Sequence, residues 1–146
     1  MAAERPPLPW GQRTFVMGVL NLTPDSFSDG GRFDRPETAL RQARRMAAQG
    51  ADLLDLGGQS TRPGAAEIGA EEEISRVLPA LRLIRQQRGA WDSPPLLSID
   101  TFRAPVAEAA LAAGADWIND VSGGRRDPAL LAVVAAAGCP YVLMHS

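Results

Sequence analysis

Short apolar runs alternate with amphipathic stretches along this chain. Five runs have the length and apolar character of buried strands, at about 15–21, 53–56, 96–99, 117–119 and 141–144. Between them, apolar residues recur at helical spacing, at about 36–49, 71–87, 105–114 and 128–137. This alternation of strand and helix predicts repeated βα units around a parallel sheet.

Proline and glycine mark the ends of the predicted helices. Pro36 suits the first turn of the first helix, and Gly50 lies just past its end. Pro79 lies inside the second helical stretch, and we expect it to kink or divide that helix, because proline lacks the N–H of the interior hydrogen bond. Residues 48–52 resemble residues 112–116, and both segments lead from a helix end directly into a strand.

Each predicted strand ends in a polar residue, and these residues are Asn21, Asp55, Asp100, Asn119 and His145. Right-handed crossovers bring the carboxyl ends of parallel strands to one face. In (β/α) barrels that face holds the active site. The sequence therefore predicts that these polar residues converge.

The length of the chain limits which parallel fold it can complete. An eight-stranded barrel takes about 250 residues, with about 200 near the lower limit, whereas this chain has 146. A five-stranded flavodoxin-like sheet would fit the length, but its last strand is normally followed by a covering helix. Because none follows here, we expect the first half of a larger fold.

Composition excludes several classes of function. The formal net charge is −2, which gives no support for a nucleic-acid surface. Cys139 and His145 are the only residues of their types, so neither an internal disulfide nor a multi-histidine zinc site can form. We find no signal peptide in residues 1–10 and no apolar run long enough for a membrane helix, so a soluble cytoplasmic protein is expected.

The loop after the first strand, residues 21–31, is polar and rich in turn formers. Asn21, Asp25 and Asp29 offer oxygen ligands to a hard cation such as Mg²⁺, which usually keeps several waters. Alternatively, the two carboxylates satisfy turn backbone in an exposed loop. Phe27 is an aromatic residue on this loop, and we expect it to act as a lid over a flat organic substrate.

The loop after the second strand, residues 57–64, combines glycines, two hydroxyl residues and Arg62. Backbone amides freed by glycine, together with an arginine, suit a phosphate or pyrophosphate group. The loop is not a P-loop, because the Gly-Lys-Ser/Thr pattern is absent. An ordinary flexible loop is the alternative.

The third and fourth strands end in residues suited to a heterocyclic ring. Asp100 can accept paired N–H bonds from an aminopyrimidine-type ring, or it can cap the following helix. Asn119 can both donate and accept, whereas Asp120 can instead be a buried structural carboxylate. His145 is the only conventional general base, although a lone histidine at a strand end is more often structural.

The polar strand ends resemble the signatures of the dihydropteroate synthase family. The resemblance covers the chain from about Thr14 onward and rests on residues 17–31, 55–64, 98–101, 118–124 and 143–145. It implies a TIM-type (β/α)8 barrel, of which this chain would supply about the first four βα units and a fifth strand. Residues 1–13 would be an N-terminal extension, and residues 14–146 the N-terminal half of the barrel.

The resemblance also implies an activity. Members of this family join a dihydropterin diphosphate to p-aminobenzoate, release pyrophosphate and make 7,8-dihydropteroate for folate synthesis. They require Mg²⁺ and are inhibited by sulfonamides. A homodimer is expected for the full-length protein. In this family a loop that closes as a lid completes the site of the second substrate, p-aminobenzoate. The pterin is therefore expected to bind first.

Site residues follow from the resemblance by position. Asn21 would bind Mg²⁺ or pyrophosphate, and Asp100 and Asn119 would bind the pterin ring. The remaining roles belong to the pocket wall and the two loops: Val121 and Met144 as apolar wall, Thr61 and Arg62 around the diphosphate and reacting carbon, Phe27 and Pro63 against p-aminobenzoate, and Asp25 and Asp29 shaping the first loop. Asp25, Asp29 and Arg62 are also the candidates for a direct part in catalysis.

Two departures from the family pattern affect these expectations. Gln59 stands where many members carry an acidic residue, which we interpret as a tolerated loop variation. The later strands of the family supply an Asp, a Lys and an Arg-His pair that this chain does not contain. We therefore expect little or no activity from the 146 residues alone.

Two other functions stay open at this point. A pterin-binding methyltransferase domain of the corrinoid-linked type shares an Asp and an Asn at corresponding strand ends, but it has no use for the two loops. A non-catalytic half-barrel binding or interaction module would expose its sheet edges and pair with another chain.

Overall fold

The computed structural model describes residues 8–24, 27–28, 31–32, 35–60 and 63–145. Five parallel strands form one sheet in the order β1-β4-β5-β6-β7. These strands are β1 (Met17–Asn21), β4 (Leu53–Gly57), β5 (Leu96–Asp100), β6 (Trp117–Asp120) and β7 (Tyr141–Leu143). The helices are α1 (Pro36–Ala48), α2 (Ala70–Arg88), α3 (Ala104–Ala112) and α4 (Ala129–Ala137). The predicted order of strands and helices is confirmed.

The two faces of the sheet differ in polarity because side chains alternate along each strand. One face is apolar and completely buried under the helices, with Leu54, Leu56, Leu97, Ile99 and Ile118 at its centre. The opposite face carries Asp55, Ser98 and Asn119. Each of these residues lies next in sequence to a residue of the buried face, so its side chain points the other way. The core therefore holds the sheet against the helices and leaves the polar face for function.

The prediction that Pro79 could divide the second helix is wrong. Helix α2 runs without interruption from Ala70 to Arg88, with Pro79 inside it. The proline ring is exposed, and so is Ser75, whose carbonyl loses the usual N–H partner. Because water can satisfy that carbonyl, the helix continues through the proline.

A hairpin in the first loop was not predicted from the sequence. Strand β2 (Phe27–Ser28) pairs antiparallel with β3 (Gly31–Arg32), with Phe27 opposite Arg32. Two-residue strands leave almost no periodic signal, so pattern analysis cannot detect them. Asp25 and Asp29 lie outside the described residues.

Residues before β1 pack at the amino-terminal end of the sheet. The ring of Trp10 lies 5.3 Å from that of Phe15 and 6.2 Å from that of Trp117, the first residue of β6. Arg13 donates to Asp52, whose carboxylate also accepts from the Val16 N–H at 2.8 Å. These contacts attach the segment to the end of the sheet opposite the predicted site.

Within the described ranges, no helix is both long and apolar enough to span a membrane.

Candidate active site

The polar strand ends form a single row across the sheet. Asn21 pairs in register with Gly57, Gly57 with Asp100, and Asp100 with Asn119. Because residues paired in this way share a face of the sheet, Asn21, Asp100 and Asn119 lie side by side on the polar face. The convergence predicted for these three residues is confirmed.

Asp100 lies over Gly57 and has no hydrogen-bond partner among the described residues. A Cβ atom on Gly57 would lie 3.3 Å from Asp100 Oδ2, so the glycine makes room for the carboxyl group. The helix-capping alternative is not adopted, because α3 has no side-chain cap and it is Thr101 that accepts from the Arg103 N–H, at 3.2 Å. The Asp100 carboxyl is therefore left available to a ligand.

Electrostatics make Asp100 unusual among aspartates. Burial, together with the negative charges of Asp55, Glu73 and Asp120 in that order, raises the pKa of Asp100 to about 7. Such a group changes its charge near neutral pH, whereas an ordinary aspartate is fully ionised there. Strongly perturbed carboxyl groups in a cleft are candidates for function.

Asp55 lies beside Asp100 on the same face but is almost completely buried. Its Oδ1 accepts a hydrogen bond from Ser98 Oγ at 2.8 Å, and its Oδ2 accepts from Asn119 Nδ2 at 3.0 Å. Burial raises the pKa of Asp55, and these two hydrogen bonds oppose the rise. Asp55 has no predicted role of its own, because no feature of the neighbouring sequence distinguishes it from the other polar residues at strand ends.

A cleft of about 690 Å³ opens next to this row. Asp100, Val121 and Met144 are among the residues that line it. The family resemblance predicts Val121 and Met144 as apolar wall and Asp100 as a ligand of the pterin ring. Further lining comes from the second loop and from the segments after β5 and β6: Gln59, Ser60, Ala65, Glu67, Thr101, Phe102, Ser122, Arg125 and Arg126. The volume is suited to a small organic molecule.

Asp120 is a structural carboxylate, as one interpretation of the sequence held. It is fully buried and accepts hydrogen bonds from the N–H and Oγ of Ser122, from the Gly124 N–H and from the Tyr141 hydroxyl. Burial and, after it, the hydrogen bond to Asp120 together raise the pKa of Tyr141 to about 12. Asp120 thereby fixes the turn that carries Val121.

Gln59 holds the second loop together through its side-chain amide. Its Nε2 donates to the carbonyls of Ser60 and Ala66, each at 3.1 Å, and its Oε1 accepts from the Ile68 N–H at 3.0 Å. A carboxylate could accept the last of these bonds but could not donate the other two. The glutamine is thus integrated into this loop, which explains how the departure from the family pattern is accommodated.

A buried ion pair anchors the far end of the same loop. Glu73 is fully buried, and its carboxylate accepts from Arg103 Nη1 at 2.5 Å. Arg103 also donates to the Ile68 carbonyl, and its guanidinium lies 4.4 Å from the centre of the Phe102 ring. Among the described residues, Glu73 Oε2 has no hydrogen-bond partner. Sequence analysis missed this pair, since Glu73 is one of three consecutive glutamates at a helix start.

Arg126 anchors the loop a second time. It pairs with Glu67, and its guanidinium lies 4.2 Å from the centre of the same Phe102 ring. The loop between β4 and α2 is therefore fixed at Glu67 and Ile68 to the segments that follow β5 and β6.

Only some of the predicted site residues fall within the described part of the chain. Asp25, Asp29, Thr61 and Arg62 lie outside the described residues, and Phe27 is described only by its backbone in β2. Pro63 lies in an exposed turn, and His145 is exposed after β7. The described part of the chain contains no group of three acidic, histidine or cysteine side chains that could hold a metal. Asn21 is exposed on the polar face and could contribute a single amide oxygen.

Comparison with known proteins gives a consistent result. Residues 17–146 match the family described as pterin binding enzyme. The chain is 51% identical over 147 aligned residues to a dihydropteroate synthase of Synechocystis, covering 96% of this chain and 49% of that protein. It therefore spans about half the length of this relative.

Solved structures give the same assignment. A dihydropteroate synthase from Clostridium difficile, solved in the presence of pteroic acid, matches this chain with a TM-score of 0.85 at 43% identity. The match covers 95% of this chain and 51% of that enzyme. The enzyme from Xanthomonas albilineans with 4-aminobenzoic acid has a TM-score of 0.78 at 47% identity, with 92% of this chain covering 47% of it. The fold is thus that of the first part of these enzymes.

Proposed function

Because this chain belongs to the pterin-binding enzyme family, we propose that it carries the pterin-recognition half of a dihydropteroate synthase. The complete protein joins 6-hydroxymethyl-7,8-dihydropterin diphosphate to p-aminobenzoate and releases pyrophosphate. The observation that carries this proposal is the row of Asn21, Asp100 and Asn119 beside a cleft of about 690 Å³. Proteins that match this chain in sequence and in fold are dihydropteroate synthases.

Recognition of the pterin ring falls to Asp100 and Asn119. When ionised, the Asp100 carboxylate accepts two N–H bonds from the amino-pyrimidine edge of the ring, and Asn119 supplies an amide next to it. Val121 and Met144 line the same cleft and provide apolar contact for the faces of the ring. This combination of one flat apolar slot and two directional polar groups selects a bicyclic aminoheterocycle.

The diphosphate end of the substrate lies toward β1 and the second loop in this proposal. Asn21 is exposed at the same level as Asp100, so its amide oxygen fits a Mg²⁺ ion that keeps most of its waters. When bound, that ion would compensate the negative charge growing on the leaving pyrophosphate. Thr61 and Arg62 would hold the diphosphate from the second loop.

The second substrate binds last. Phe27 in the first loop and Pro63 in the second would pack on p-aminobenzoate once both loops close over the pterin. The amine of p-aminobenzoate then attacks the pterin methylene carbon, whose bond to the pyrophosphate oxygen breaks. The chain's contribution is orientation and electrostatic stabilisation, for which no covalent nucleophile is needed.

The decisive experiment measures pyrophosphate release by the complete protein. We expect release that requires both the pterin diphosphate and p-aminobenzoate, and competition by a sulfonamide. Asp100→Ala should lower kcat/KM about 10²-fold or more, whereas Asp52→Asn at the opposite end of β4 should have little effect. A methyltransferase would bind pterin but release no pyrophosphate, and a non-catalytic module would turn over neither substrate.

Two broader properties are proposed from the family resemblance. The complete protein would be a homodimer, which sedimentation equilibrium would test, and it would act in the cytoplasm, which cell fractionation would test. A monomer at micromolar concentration would contradict the first.

A further inference from the structure

We propose that Asp55 is a positioning residue that orients the side-chain amide of Asn119 toward the pterin, and that Ser98 holds Asp55 in place for this role. The inference rests on the proposed function and assigns a task to a buried residue outside the ring-binding pair. Through hydrogen bonds, Asp55 reaches the ring only by way of Asn119, because its two carboxylate oxygens are already occupied by Ser98 and Asn119. Because the Asp55 charge also raises the pKa of Asp100, affinities are compared at pH 9, where Asp100 is ionised with and without Asp55.

The three residues form a chain of hydrogen bonds across three neighbouring strands. Ser98 Oγ on β5 donates to Asp55 Oδ1 on β4 at 2.8 Å, and Asn119 Nδ2 on β6 donates to Asp55 Oδ2 at 3.0 Å. Ser98 is fully buried and Asp55 is 4% exposed, so water cannot replace either partner. Rigid strands at both ends therefore fix where the carboxylate lies.

This chain of bonds decides which way the Asn119 amide faces. An asparagine amide presents an oxygen acceptor on one side and two N–H donors on the other, and only the hydrogen-bond network distinguishes its two orientations. A carboxylate can only accept, so Asp55 must face the NH₂ group. The Asn119 oxygen is consequently free to accept from a ring N–H, and its second N–H is free to donate to a ring nitrogen or carbonyl.

Without Asp55, the Asn119 amide could rotate and present the wrong group to the ring. Half of its orientations would then place an N–H where the ligand needs an acceptor. The loss should appear in pterin affinity and should vanish when Asn119 is absent, which a purely structural role of Asp55 would not produce.

A double-mutant cycle tests this proposal in the complete protein, with 6-hydroxymethylpterin as the probe. Binding is measured by the quenching of pterin fluorescence, and folding by circular dichroism and thermal unfolding. We expect Asp55→Ala to weaken binding about tenfold, because the hydrogen bond that fixes the orientation of the Asn119 amide is lost. In an Asn119→Ala background the same substitution should change affinity by less than about twofold. Asp55→Asn keeps an acceptor toward Asn119 and should restore most of the affinity.

Two controls separate the possible failures. Asp52→Asn, immediately before the other end of the same strand, should leave affinity unchanged. If Asp55→Ala does not fold, the same cycle is run with Ser98→Ala, for which we expect a two- to threefold loss that again requires Asn119.

The outcomes distinguish this inference from the proposed function. A wild-type protein that does not bind the pterin overturns both. Wild-type binding, with a loss for Asp55→Ala of equal size with and without Asn119, overturns the positioning role alone. Wild-type binding with no loss for Asp55→Ala does the same.

Discussion

At the scale of single residues, the site places carboxyl groups close together on a partly buried surface. Asp100 has no hydrogen-bond donor among the described residues, and Gly57 leaves room for its side chain. The site thus holds a group whose ionisation disfavours folding, and whose proposed role in ligand binding requires that ionisation. Conflict between stability and function is expected at such positions.

Replacement of Asp100 should stabilise the protein in alkaline solution. The pKa of Asp100 is raised from 3.8 to about 7 in the folded chain, mainly by burial and then by the charges of Asp55, Glu73 and Asp120. A raised carboxyl pKa favours folding below the unfolded value, and that contribution is lost as the pH rises from about 4 through 7. We therefore expect Asp100→Asn to increase the free energy of unfolding at pH 8, by an amount on the order of 1–3 kcal/mol, and to have little effect at pH 4.

Urea denaturation of both proteins at the two pH values measures the difference. Carboxyl groups away from Asp100 titrate equally in the two proteins and cancel in the comparison. An Asp100→Asn protein that is less stable than the wild type at pH 8 would show that the carboxylate makes a favourable contact in the folded chain.

The pH dependence of pterin affinity should depend on Asp55. In the proposed role the ionised Asp100 carboxylate accepts from the ring, so affinity should rise as the pH passes through about 7, the pKa of Asp100. Asp55→Asn removes the largest of the charges that raise this pKa, although burial remains. The midpoint of the affinity curve should therefore move to lower pH, as fluorescence titration between pH 5 and 9 would show. An unmoved midpoint would mean that Asp55 does not influence the Asp100 charge.

At the scale of elements, the loop between β4 and α2 is held at its end by two arginines that share one aromatic ring. Arg103 joins Glu73 of α2 to the Ile68 carbonyl, and Arg126 joins Glu67 to the segment after β6. Phe102 lies beneath both guanidinium groups. The position of this loop therefore depends on α2, α3 and the turn after β6 together.

Loss of Arg103 should destabilise the fold more than loss of an exposed arginine. Removing one partner of a buried ion pair typically costs about 3–5 kcal/mol, because the other charge stays buried. We expect a loss of this order for Arg103→Ala, since Glu73 is fully buried. The double replacement Arg103→Met with Glu73→Met should recover much of it.

Thermal or urea unfolding provides the measurement. Arg13→Ala is the matched control, because the Arg13–Asp52 pair is exposed on the arginine side and should contribute little. A double variant no more stable than Arg103→Ala would show that the contacts of Arg103 with Ile68 and Phe102 matter more than the charge of Glu73.

At the scale of the whole molecule, the sheet has two edge strands, β1 and β7, each with one neighbour in the described part of the chain. Val19 on β1 is 56% exposed, and Leu143 on β7 is 68% exposed. Unpaired edges with apolar side chains favour association with another chain. The relatives have about twice the length of this chain, and their remaining residues have no counterpart in it.

Self-association of the 146-residue chain is the corresponding prediction. We expect its sedimentation coefficient to rise with concentration, and the double replacement Val19→Lys with Leu143→Lys to suppress the rise by placing charges at both edges. Leu131→Lys is the matched control, because Leu131 is 45% exposed but lies on helix α4 and not on an edge strand. Equal suppression by the control would assign the association to general hydrophobicity.

The sequence by itself determined the order of strands and helices, the parallel sheet and the row of Asn21, Asp100 and Asn119. These features follow from local periodicity and from the rule that parallel strands end on the same side. The family resemblance likewise depends on short contiguous motifs and was confirmed by the match over residues 17–146.

Only the tertiary structure decided the role of Asp55, the buried pair of Glu73 and Arg103, and the pKa of Asp100. Each depends on partners far apart in sequence, such as Asp55 with Ser98 and Asn119, and on how much water the packing excludes. Burial and distance set the strength of these interactions, and neither can be obtained from the order of residues alone.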